Sequence, residues 1–128
     1  MAKEKAKEEK IPRVYIPIPD PEEFLDVMGN PWTTQANQEP MDMAEVLLHT
    51  VRYAPVKTAE DAERALDIVT TLKNADGYIE MSQVDYEWMM RHLKETAHIL
   101  WKAPDSAYLR RFIEKTKSHK KPGDSPPS

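Results

Sequence analysis

Val14, Ile16 and Ile18 alternate with Arg13, Tyr15 and Pro17 near the start of the chain. This period of two predicts an extended segment. Pro12, Pro17 and Pro19 exclude a central strand, so residues 11–19 read as a Pro-rich arm, either an edge strand or a polyproline-like stretch lying on a surface. From Asp20 onward the apolar period becomes helical. Asp20-Pro21-Glu22-Glu23 offers a cap, a proline where no N–H is needed and a capping-box acid, and predicts a short helix through Phe24, Leu25, Val27 and Met28, stopped at Gly29-Asn30-Pro31. Trp32 to Gln38 has no periodicity and reads as a loop pinned by its tryptophan.

Four stronger helical signals follow. Asp42 with Glu45 repeats the capping signature before Met43, Leu47, Leu48 and Val51, and Ala54-Pro55 closes that helix by Tyr53. Thr58 with Asp61 opens the next, in which Ala62, Ala65, Leu66, Val69 and Leu72 form the inward stripe, the two small alanines admitting a close neighbour. After the turn Asn74-Ala75-Asp76-Gly77, residues Tyr78 to Met81 are briefly extended. Ser82 with Asp85 then caps the longest helix, running to about Lys102, with Tyr86, Met89, Met90, Leu93, Ala97, Leu100 and Trp101 on one face. Pro104 breaks it, and Asp105 caps a last helix that buries Tyr108, Leu109, Phe112 and Ile113.

The expected fold is therefore mainly α: a compact bundle of four to five short helices over residues 20–117, with the Pro-rich arm at 11–19. Polar ends at 1–10 and 118–128, rich in Lys, Glu, Pro and Ser, carry too little apolar surface to join a core and are expected to be disordered. Each helix opens on an acidic or hydroxyl cap and closes on Gly or Pro, a local consistency that favours one definite fold.

Composition narrows function by exclusion. The absence of cysteine removes disulfide, thiolate-metal and thiol redox chemistry. No stretch approaches the ~18 apolar residues of a membrane span, and Met1 to Lys10 lacks a secretion-type apolar core, so a cytoplasmic location is expected, without a membrane partner. The formal net charge of −4 hides a gradient: eleven acids face three bases from Asp20 to Asp67, whereas six bases face three acids from Asp105 to Ser128. Such asymmetry steers partners of opposite charge.

Candidate chemistry fails position by position. Asn74-x-Asp76-Gly77-x-Ile79 resembles part of an EF-hand loop, but with Gly77 at loop position six the first ligand falls on Leu72 and the bidentate ligand on Gln83, so calcium lacks its carboxylates. His92 and His98 are six apart on one helix, off the three-or-four spacing of paired helical ligands. No Gly-rich phosphate loop or nucleophile motif is present. The expectation is a protein with no catalytic, cofactor-binding or metal site and no small-molecule substrate.

Binding surfaces remain. At about 100° per residue, Trp88, His92 and Ile99 fall within about 40° of one another and opposite the main stripe of the long helix. A helix apolar on two sides is either internal or presents a docking face. Val14, Tyr15, Ile16, Trp32, Trp88, His92 and Ile99 are therefore the candidate contacts to another protein or a second copy of the chain. The alternative is nucleic acid, contacted by Arg110, Arg111, Lys115, Lys117, Lys120 and Lys121, although no helix-turn-helix or aromatic stacking motif accompanies them.

The stretch from Thr58-x-x-Asp61-Ala62 through Leu72, Ala75-Asp76-Gly77-Tyr78-Ile79-Glu80-Met81 and Asp85-Tyr86-x-Trp88-Met89-Met90-x-x-Leu93 resembles, in style, small helical proteins of tailed-bacteriophage genomes. That resemblance implies a viral assembly or structural factor, a tail-assembly chaperone or a host-directed regulator, located in the host cytoplasm or the virion. It assigns no functional residue.

Overall fold

The computed structural model describes residues 12–33 and 39–121. Among them the order is β1 (Arg13–Pro17), α1 (Met43–Arg52), α2 (Ala59–Lys73), β2 (Tyr78–Ser82), α3 (Gln83–Leu100) and α4 (Ala103–Thr116). The chain is mainly α, with four helices and one two-stranded sheet in this part. The ends at 1–10 and 122–128, for which disorder is expected, lie outside the described residues.

Caps read from the sequence fix three helix starts. Asp42 and Glu45 form a reciprocal capping box on α1. Thr58 Oγ1 accepts from Asp61 N at 3.0 Å on α2, and Ser82 Oγ from Asp85 N at 3.1 Å on α3. Each satisfies a backbone donor that has no partner inside the helix. The fourth start differs from expectation. α4 is capped at Lys102 without a side-chain bond, and Pro104 lies inside the first turn, where a missing N–H costs nothing. Asp105, freed from capping, accepts instead from Val27 N at 3.1 Å.

The helix expected from Asp20 is absent. Asp20 O accepts from Glu23 N and Phe24 N, which completes one turn only. Asp26 then competes with helical bonding: its Oδ1 accepts from Met28 N at 2.9 Å and Asn30 N at 3.0 Å. Gly29, at φ +83°, turns the chain back so that Asp26 N meets Asn30 O. A segment this short gains too few helical bonds to offset nucleation once a side chain offers the backbone a local alternative.

Of the two readings of the Pro-rich segment, the strand holds over Arg13–Pro17, and residue 11 lies outside the described residues. β1 pairs antiparallel with β2 in the register Val14 with Met81 and Ile16 with Ile79. Those four side chains are fully or almost fully buried against the helices. Gly77, at φ +79°, makes the turn that brings β2 alongside β1, and its carbonyl accepts from Ile18 N. Nor is the tail free from its start: Ser118 exchanges two 2.8 Å backbone bonds with Tyr15 on the other edge of β1. The packed unit thus includes both flanks of the helical region.

One helix rotates relative to expectation and another ends early. On α2 the buried residues are Ile68 and Leu72, with Ala65 and Val69 partly covered, while Ala62 and Leu66 face solvent. α3 ends at Leu100 rather than Lys102, since Trp101 turns extended at φ −120° and ψ 152°. Leu100 is consequently exposed, and Trp101 folds back so that its Nε1 donates to Thr50 Oγ1 of α1 at 2.8 Å.

Candidate protein-docking surface

The expected docking face on the Trp88 side of α3 is internal. Trp88 is 4% exposed, its Nε1 donates to Asp61 Oδ1 of α2 at 3.2 Å, and its ring stacks on His92 at 3.8 Å. His92 is half-buried with Nδ1 2.9 Å from the Trp88 carbonyl, which can only accept, so that nitrogen carries the proton. A salt bridge from Arg64 to Asp85 at 2.6 Å lies between the same two helices. α3 is apolar on two sides because it is covered on two sides.

Of the other candidates, Val14 and Ile16 are core residues, and Tyr15 is half-buried with its ring 6.0 Å from that of Tyr78. Trp32, 3% exposed, is stacked on Phe24 at 5.3 Å and edge-on to Trp101 at 5.1 Å. Phe24 in turn meets Phe112 of α4 at 5.9 Å. Only Ile99, 71% exposed, is open to a partner.

Other exposed apolar side chains lie on the elements that meet at the corner between α3 and α4. Ile99 and Leu100 end α3 there. The loop at 24–32 is drawn to the same corner by the Val27 to Asp105 bond and by the aromatic cluster beneath it. At the tip of that loop Val27 and Met28 are 47% and 80% exposed. Tyr108, one turn along α4 from Asp105, adds a 39% exposed ring. The Asp26 carboxylate holds the tip with two backbone bonds, so these apolar side chains are presented by a braced turn. Exposed Lys102, just beyond the end of α3, and Arg111 of α4 carry positive charge on the same elements.

Sequence reasoning missed Val27, Met28 and Tyr108 because it placed them on the inner faces of helices. The signal available was Asp26-x-Met28-Gly29-Asn30, an acid with a glycine three residues on, which suits a side-chain-capped turn.

The six basic residues of the nucleic-acid alternative do not gather on one face. Arg111 and Lys115 project from one side of α4, both exposed. Arg110 is half-buried, with its Nε enclosed and without a partner among the described residues. Lys117 lies over the Tyr86 ring, 5.4 Å from its centre, and Lys120 and Lys121 follow beyond Ser118. Burial, and secondarily the Glu114 carboxylate, pushes the Tyr86 hydroxyl up to about 12.

No group of three or more His, Cys, Asp or Glu side chains disposed to hold a metal occurs among the described residues, and no helix among them is long and apolar enough to cross a membrane. No protein-family model, curated protein or solved structure matches the chain.

Proposed function

We propose that this chain is a non-enzymatic protein-binding protein that docks a partner on the corner between α3 and α4. The observation that carries this reading is the group of exposed apolar side chains Val27, Met28, Ile99, Leu100 and Tyr108 on a braced loop and two helix ends. Apolar surface gathered at one place and bordered by charge is typical of interaction sites. The cations Lys102 and Arg111 favour a partner whose apolar groove carries acidic residues at its rim. A viral assembly factor, tail-assembly chaperone or host-directed regulator, working in a host cytoplasm or virion, is a setting consistent with the resemblance of Thr58 to Leu93. Nucleic acid is the weaker reading, because the basic side chains of α4 diverge and one of them is spent on Tyr86.

The test is a photo-crosslinking amino acid placed at Met28 or Ile99 in cells of the source organism, with exposed Glu87 of α3 as the control position. Crosslinks to one protein, or to a second copy of the chain, from Met28 and Ile99 but not from Glu87 are the expected result. Met28→Lys combined with Ile99→Lys should abolish that association and leave the melting temperature unchanged within about 2 °C, since both side chains are already solvated. Equal crosslinking from Glu87 would count against a specific surface.

A further inference from the structure

The two edges of the small sheet are treated differently. On β1, the outward edge is closed: Tyr15 N and O both pair with Ser118, the Arg13 carbonyl lies 3.0 Å from His119 Nδ1, and Pro17 has no N–H to offer. Because Tyr15 spends its N–H and C=O on Ser118, the residue opposite it on β2, Glu80, receives no ladder bond from β1. The ladder bonds belong to Val14 with Met81 and Ile16 with Ile79, and they continue in the same phase as Gln83 N to Pro12 O and Ile18 N to Gly77 O. The N–H and C=O of Glu80 therefore point away from β1. Among the described residues nothing bonds to them.

What lies on that side is an open recess of about 360 Å³ between β2 and the end of α2, lined by Thr71, Asn74, Ala75, Asp76, Tyr78 and Glu80. An unpaired strand edge is a template for another strand, and natural sheets cover such edges. Here the edge of β1 is covered, whereas on β2 Tyr78 is bridged to Asp76 and Glu80 is left open. A second copy is a poor occupant: antiparallel pairing of β2 with itself about Glu80 sets Glu80 opposite Glu80, and like charges directly opposite are destabilising. A Lys or Arg in that place meets Glu80 across the ladder, with exposed Asp76 and the Tyr78 ring beside it.

We propose that the outer edge of β2 at Glu80 is a strand-addition site for an extended peptide segment carrying Lys or Arg opposite Glu80. Backbone bonds to Glu80 supply the attachment, and the Glu80 carboxylate, already 3.2 Å from Arg13, selects for positive charge. This surface is separate from the corner of α3 and α4, and neither proposal depends on the other.

Amide hydrogen exchange on the intact chain tests it first without mutation. In the free protein the Glu80 amide should exchange at least about a hundredfold faster than those of Ile79 and Met81, which sit in the ladder. Addition of the peptide acetyl-Ser-Thr-Val-Lys-Val-Thr-Ser-amide at millimolar concentration should slow Glu80 and shift its resonance, and replacing the central Lys by Glu should weaken that peptide by roughly five- to tenfold. Glu80→Pro removes the outward N–H together with the carboxylate and should abolish peptide binding, whereas Glu80→Thr, which also loses the carboxylate but keeps the N–H, should still bind through the backbone. A Glu80 amide as protected as Ile79 in the free protein would overturn the proposal. So would protection that rises with protein concentration alone, an unmoved Glu80 resonance at millimolar peptide, or undiminished binding by a folded Glu80→Pro variant.

Discussion

Trp88 shows how one side chain can satisfy two opposed readings. Its position opposite the main stripe of α3 is legible in the sequence, and so is the conclusion that this helix is either covered twice or exposed once. What covers it is not legible, because the deciding contact comes from Asp61 of α2, a residue whose evident role is to help cap its own helix. Trp88→Phe, which keeps a smaller aromatic ring and loses the bond, should cost about 1–3 kcal/mol in urea denaturation. Trp88→Ala should cost about 3–5 kcal/mol through the cavity it leaves. At Tyr86 the hydroxyl is enclosed without a partner among the described residues, and burial raises its pKa to about 12. The folded state holds this proton more tightly than the unfolded chain, where a tyrosine titrates near ~10. The resulting stabilisation is complete below about pH 10 and declines as pH rises toward about 12. A tyrosinate absorbance titration should contain a late step near pH 12 that Tyr86→Phe removes.

Among the elements, those with a reciprocal local signal are the ones readable in advance. Asp42 with Glu45, Thr58 with Asp61 and Ser82 with Asp85 all bond as their spacing implies, and the helices behind them begin where expected. The misreading at Asp20 has the same physical root. Asp, Pro and Glu at a helix start are equally good at starting a turn, and what decides is whether enough helix follows to offset nucleation. Here Asp26 and Gly29 close the turn first. Asp105 was legible as an acid at the start of α4, but its bond to Val27 joins segments far apart in sequence, and no local pattern encodes it. Asp105→Ala should therefore leave the helix content unchanged by circular dichroism. It should also broaden the amide resonances of Val27 and Met28 and weaken partner docking by several-fold, because a tip that must be ordered on binding loses affinity. Asp105→Asn, which keeps an acceptor, should fall between.

For the whole molecule, fold class was within reach of the sequence because helical periodicity and caps are local, while the candidate site was not, because its members come from a loop, two helix ends and a carboxylate borrowed from α4. The same division explains the two flanks. Alternation at Val14, Ile16 and Ile18 announces an extended segment, but only its partner at Ile79 and Met81 makes it core rather than arm. Nothing in Ser118 or His119 signals that they finish the edge of β1. That pairing has a consequence for how the chain is made. Tyr15 leaves the ribosome before Ser118, with every helix of the described chain synthesised between them. Until the late residues emerge, β1 has an open edge, and Val14 and Ile16 have at most part of the core to bury themselves in. The nascent chain must therefore keep an aggregation-prone strand occupied or shielded until Ser118 has emerged.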